Sequence, residues 1–165
     1  MRGTWLFPVK SLHQKAILFC ATGAGAGYFP RMPGTMGTVV AIPFSLGLNR
    51  IATSHFWLAL FILIAAIVFA IWSADKAAKI LKQKDPQRVV IDEIVGFLLA
   101  NFLMPMSAAA LVCSFTLFRF FDIAKIFPID RIERLPGGAG IVLDDVMAGF
   151  YALICLRVIA GFGWL

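Results

Sequence analysis

Charge is scarce in this chain. Of 165 residues only 15% are Asp, Glu, Lys or Arg, against about 25% in soluble domains. Acids are the rarer sign, nine against fifteen Lys and Arg. Cysteine and histidine are almost absent. Cys20, Cys113 and Cys155 lie far apart in apolar stretches, with no CxxC or Cys/His spacing that would clamp a metal. They read as small core hydrophobes in a reducing or intramembrane setting. His13 and His55 stand in no motif and read as interfacial. Neither GxGxxG nor GxxxxGK[ST] occurs, which removes the common nucleotide loops. No internal repeat, low-complexity linker or run of strand alternation is present, so a barrel is not indicated.

What fills the chain is apolar. Hydrophobic residues make up 61%, with 16 Phe and 4 Trp, and the mean hydropathy is +0.88. A soluble domain of this size has no core large enough for that surface, so a soluble globular enzyme is disfavoured and the bilayer is the natural solvent. The net charge of +6 points to an anionic partner, and the apolar background makes that partner lipid rather than nucleic acid. Arg2, Lys10 and Lys15 precede the first apolar run, and the Gly/Pro-rich sequence that follows has no clear cleavage site, so this end reads as retained.

Phe56 to Ala74 is nineteen residues without a charge, enough at about 1.5 Å per residue to cross a hydrocarbon core of about 30 Å. Met36 to Leu48, joined to the Gly-rich run before it, and Val146 to Leu165, interrupted by Arg157, are two weaker spans. Ile94 to Phe118 has Pro105 at its centre and basic residues on both flanks: Lys76, Lys79, Lys82, Lys84 and Arg88 before it, Arg119, Lys125, Arg131 and Arg134 at and after its end. The positive-inside rule puts both flanks in the cytoplasm, so the segment is expected to be a hairpin of two short helices. The expected architecture is an all-α, multi-pass helical membrane bundle.

Seven of the nine acids fall between residues 92 and 145. A carboxylate at the bilayer centre carries a penalty of about 2.5–3.5 kcal/mol on insertion scales, so acids in apolar sequence lie at an interface, face a polar cavity or bind something. Asp92-Glu93 and Asp144-Asp145 are each expected at the cytoplasmic start of an apolar helix, where they would also complement the helix dipole. Oxygen ligands without His or Cys suit a hard cation such as Mg²⁺. Arg119, Asp122 and Lys125 are spaced to make one charged helix edge, either a salt-bridged face or two cations and a carboxylate converging on a phosphate. Gly23, Gly25 and Gly27, with Pro33-Gly34-Thr35-Met36-Gly37-Thr38 after them, look like an anion-binding loop leading into a helix, or a small-residue helix contact. Gly137, Gly138 and Gly140 read as a flexible turn. Cys113 and Arg119 carry the five-residue spacing of thiolate phosphatases, but Ser-Phe-Thr-Leu-Phe between them lacks glycine and reads as helix, so a phosphocysteine route is set aside.

In order, Pro33-Gly34-Thr35-Met36-Gly37-Thr38, Asp85-Pro86 with Val90-Ile91-Asp92-Glu93-Ile94-Val95-Gly96, Phe118-Arg119 to Asp122 and Lys125, and Gly140-Ile141 to Asp144-Asp145 and Ala148-Gly149 resemble the phosphatidylglycerophosphatase A family. The resemblance runs from about residue 20 to 150 and makes residues 1–165 one such membrane domain. It implies a Mg²⁺-dependent lipid phosphatase of the bacterial inner membrane that converts phosphatidylglycerophosphate to phosphatidylglycerol; the basic flanks independently expect its site to face the cytoplasm. Carried over residue by residue, it assigns catalysis to Asp92, Glu93, Arg119, Asp122, Lys125, Asp144 and Asp145. Metal binding falls to Asp92, Glu93, Asp144 and Asp145, and substrate binding to Gly34, Thr35, Gly37, Thr38, Arg119 and Lys125. Lys125-Ile126 in place of Lys-Pro, and Tyr28-Phe29 before Pro30, depart from the family pattern without removing a charged group. The competing class is a small transporter whose intramembrane acids line a path.

Overall fold

Seven α-helices and one 3-10 turn make up the described residues, 11–164, of the computed structural model. They are α1 (Leu12–Ala21), α2 (Pro33–Ser54), α3 (Phe56–Leu81), α4 (Ile91–Ala100), α5 (Ala108–Ala124), α6 (Ile129–Ile132) and α7 (Gly138–Gly161), with the turn at Ala26–Tyr28. The all-α expectation holds. Arg2 and Lys10, on which the reading of the amino terminus rested, lie outside the described residues, as does Leu165.

Local chemistry sets the helix ends. Ser11 and Ser107 accept the backbone N–H of Gln14 and Ala110, capping α1 and α5. Pro33 opens α2, where its missing N–H has no helical partner to lose. Lys82 and Lys125 close α3 and α5 in the left-handed region, at φ 54° and 45°.

Three boundaries differ from those expected. The Gly-rich run does not join α2, because Gly23, Ala24 and Gly25 all have positive φ and turn the chain. α7 begins at Gly138 rather than Val146, since Gly138 and Gly140 lie against the Ile71 and Leu135 carbonyls, where any Cβ would overlap them. The two acids therefore sit in its second turn, not at its start. Lys125 ends α5 instead of extending its charged edge.

Around Pro105 the chain does break into two helices. α4 has ten residues, about 15 Å at 1.5 Å each, and sits among α2, α3, α5 and α7. Phe97 and Phe118 are fully buried between them, their ring centroids 6.2 Å apart. At the hairpin tip Asn49 Nδ2 donates to the Asn101 carbonyl at 2.8 Å while its Oδ1 accepts from Leu103 N at 2.8 Å. Asn101 Nδ2 donates to Ser45 Oγ, Ser114 Oγ donates to Asn101 Oδ1, and Arg157 Nη2 donates to the Phe102 carbonyl. α4 and α7 touch backbone to backbone: a Cβ on Gly149 would overlap the Gly96 carbonyl, and one on Gly96 would lie 2.7 Å from the Asp145 carbonyl oxygen.

α3 and α7 are, among the described residues, the two helices long and apolar enough to cross a bilayer. α2 has 22 residues but buries Thr38, Ser45 and Asn49 and contains Pro43.

Candidate active site

The helix starts and ends opposite the hairpin tip surround a cleft of about 660 Å³. α2 contributes Gly34 and Thr35, α4 contributes Asp92 and Glu93 from its first turn, and α7 contributes Asp144 and Asp145. The end of α5 supplies Arg119, Asp122 and the capping Lys125. Residues far apart in sequence thus meet because four apolar helices pack with one set of ends level.

Within the cleft, carboxylate oxygens of Asp92, Glu93 and Asp145 all lie within 4.8 Å of one another. Asp92, Asp144 and Asp145 are 9%, 7% and 4% exposed, so their charges are removed from water, a state that normally requires a paired cation. Burial, and for Asp92 next the charge of Glu93, pushes the carboxyls of Asp92 and Glu93 above the usual range. Glu93 Oε2 and Asp144 Oδ1 are buried without a hydrogen-bond partner. An all-oxygen cluster with an open buried acceptor fits a hard divalent cation at Asp92, Glu93 and Asp145.

The cations are held differently. Arg119 Nη1 lies 2.7 Å from Asp122 Oδ2, yet its N–H bonds are not aimed along a hydrogen bond. The contact is a charge pair that leaves the donor free to turn to another anion. Lys125 Nζ lies 2.8 Å from Glu133 Oε1 and 3.2 Å from Asp144 Oδ2. Burial alone would lower its pKa, but the Glu133 hydrogen bond and the Asp144 charge outweigh that and push it up to about 12. Gly34 explains how Arg119 and Glu93 come so close to α2: a Cβ there would overlap Glu93 Oε1 and stand 3.1 Å from Arg119 Nη1.

Not every expected residue arrives. Gly37 packs on Val90, and the Thr38 hydroxyl donates to the Gly34 carbonyl of its own helix at 3.0 Å, so neither lines the cleft. The Gly23 to Gly27 run also turns inward: the N–H groups of Gly25, Ala26 and Gly27 donate to the carbonyls of Thr22, Gly23 and Thr22, leaving no amide cradle for a phosphate. Cys113 lies in α5 against Met104, Ala110 and Leu156, away from the cleft.

Other lining residues escaped the sequence reading. Glu133 holds Lys125, and Arg31, Lys84 and Arg134 line the opening. Lys84 and Arg134 belong to the basic clusters that the sequence places in the cytoplasm and offers to an anionic headgroup; nothing in their spacing marks these two as the members that face the acids.

The sequence profile of the family described as phosphatidylglycerophosphatase A matches residues 19–160. A Bacteroides thetaiotaomicron protein named a phosphatidylinositol-3-phosphatase is 33% identical over 142 residues, covering 83% of this chain and 89% of that one. The phosphatidylglycerophosphatase A of Haemophilus influenzae is 34% identical over 143 residues, covering 84% and 85%. That of Escherichia coli is 31% identical over 131 residues, covering 78% and 74%. No solved structure matches.

Proposed function

The chain belongs to the phosphatidylglycerophosphatase A family of lipid phosphatases, and from that premise we propose that it removes the terminal phosphate of phosphatidylglycerophosphate. The products are phosphatidylglycerol and inorganic phosphate, a step of glycerophospholipid synthesis leading to phosphatidylglycerol and cardiolipin. The observation that carries the reading is the meeting of three buried carboxylates with Arg119 and Lys125 in one cleft of an apolar bundle.

In this reading Asp92, Glu93 and Asp145 hold Mg²⁺, with Asp144 beside them. A hard divalent ion held there would supply Lewis-acid charge to the phosphoryl oxygens. The net reaction adds the elements of water across the P–O bond to the headgroup: that bond breaks, phosphorus gains the hydroxyl and the headgroup oxygen takes a proton. Arg119 has the fork that matches two phosphoryl oxygens, and Asp122 keeps it beside Glu93. Lys125, with a pKa of about 12, stays protonated and works as a fixed positive charge, so the proton comes from a carboxyl group or from solvent.

A place in the bacterial inner membrane accompanies the assignment. On α3 the apolar side chains of Trp57, Phe61, Ile64 and Val68 are exposed, and most of the helix is left uncovered by the rest of the bundle, whereas a soluble core helix is mostly covered. With α2, α3 and α7 crossing, the α4–α5 hairpin entering without crossing and residues 1–165 forming one domain, the cleft opens to the cytoplasm among the basic linkers. Single cysteines at Lys79 and Arg131 should then resist an impermeant thiol reagent applied to intact cells; labelling of either overturns the orientation.

The deciding measurement is phosphate release from phosphatidylglycerophosphate in detergent, with and without Mg²⁺. Mg²⁺-dependent release is expected. Solute flux without phosphate release would favour the transporter alternative. Turnover of phosphatidylinositol 3-phosphate at a far higher kcat/KM would instead favour the activity in the name of the Bacteroides relative.

A further inference from the structure

Floor and mouth of the cleft differ in charge. On the floor five carboxylates, Asp92, Glu93, Asp122, Asp144 and Asp145, face Arg119 and Lys125. Both of those cations are already engaged, Arg119 with Asp122 and Lys125 with Glu133 and Asp144. At the mouth stand three exposed cations from three separate linkers: Arg31 ahead of α2, Lys84 after α3 and Arg134 ahead of α7. Among the described residues Arg31 and Lys84 enter no ion pair, and Arg134 meets Asp130 only at 3.9 Å. Asp85 is the acid that shares this mouth with them, since Glu133 is taken by Lys125. Nothing in the hydrolysis itself uses these three cations.

The cleft is also larger than one phosphate requires. Its volume of about 660 Å³ falls within the range of about 300–1,000 Å³ that houses whole small molecules. A lipid phosphomonoester is attached to its diacylglycerol in one of two ways, directly, or through a headgroup and a phosphodiester. Only the second kind places another anion at the mouth when its terminal phosphate lies on the floor. Arginine and lysine are the side chains suited to that anion, by fork and by point charge.

We propose that Arg31, Lys84 and Arg134 form a phosphodiester subsite, the residues by which the cleft tells a terminal phosphate on a diester-linked headgroup from one attached directly to diacylglycerol. The inference rests on the phosphatase reading and adds the group that selects among lipids. The subsite binds the diester and leaves the reacting phosphate to the floor, so its loss acts on KM and spares kcat.

The test uses the full-length protein in micelles of a neutral detergent, with phosphatidylglycerophosphate, phosphatidylinositol 3-phosphate and phosphatidate as substrates and released phosphate as readout. Arg31→Ala/Lys84→Ala is expected to raise KM for the two diester lipids by about tenfold or more, as for loss of a charged hydrogen bond. Its kcat should stay within twofold, and its KM for phosphatidate should not move. Arg134→Ala is an independent arm with the same pattern, and Lys82→Ala, an exposed cation outside the cleft, controls for general surface charge. An equal rise for phosphatidate, an equal rise in Lys82→Ala, or no rise at all would overturn the subsite while leaving the phosphatase reading intact. A wild type that prefers phosphatidate also overturns it. A wild type that releases phosphate from none of the three lipids overturns the phosphatase reading, and the subsite with it.

Discussion

Two polar clusters are buried in this apolar bundle, and they are built on opposite rules. At the hairpin tip the groups are neutral apart from Arg157, and they close on one another: Asn49 and Asn101 each donate and accept, and Ser45, Ser114 and the backbone at the carboxyl end of α4 complete the set. In the cleft the groups are charged, and Glu93 Oε2, Asp144 Oδ1 and Arg119 Nη1 remain without a hydrogen-bond partner. A buried cluster that satisfies itself fastens backbone; one that leaves charged atoms open holds a place for something else.

Substitutions in the two clusters should therefore separate activity from stability. The largest effect is expected for Asp145→Asn, which keeps shape and removes a charge. Activity should fall by about 10³-fold or more, while thermal stability without added metal stays level or rises, because a buried like-charge contact is relieved. A concurrent collapse of Tm would show that the acids hold the fold and break the distinction. Arg119→Lys retains charge but loses the fork, and kcat should drop by about 10²-fold in the phosphate-release assay.

Gly34→Ala is a subtler probe of the same end. Its methyl group would displace Glu93 and crowd Arg119, so activity should fall by about tenfold to 10²-fold with the circular dichroism spectrum unchanged. Asn49→Ala should show the reverse signature. It strands Leu103 N–H and the Asn101 carbonyl, which should cost about 1–3 kcal/mol of stability, read as a lower Tm in detergent, with kcat per folded molecule within twofold. The smallest effect belongs to Cys113→Ala. Activity should be unchanged and the wild type should be chelator-sensitive; an inactive variant with a chelator-insensitive wild type would put the thiolate back at the centre.

How much of this was readable in advance depended on whether a residue contradicts its surroundings. Asp92, Glu93, Asp144 and Asp145 are charged in apolar sequence, and the structure collects them. Pro105 between two basic flanks likewise forecast the break between α4 and α5. Glycine misled in both directions, because its sequence signal is the same for a turn and for close packing: Gly138 and Gly140 open a helix, while the Gly23 to Gly27 run folds its amides back on itself. Arg31, Lys84, Glu133 and Arg134 lie in linkers or next to a short helix, where a charge is unremarkable. Only tertiary packing decides which linker cations face the acids.

The Gly96–Gly149 crossing works as a gauge. Asp145 lies four residues before Gly149 on α7, and Glu93 three residues before Gly96 on α4, so one helical turn ties each acid to the point where the two main chains touch. The spacing of the carboxylates is thereby set by the thickness of a peptide backbone, the least compressible part available, and not by side chains that change rotamer. Bulk on the lipid-facing side of either helix can vary without being transmitted to the width of the site, whereas a single methyl group at the crossing would open it.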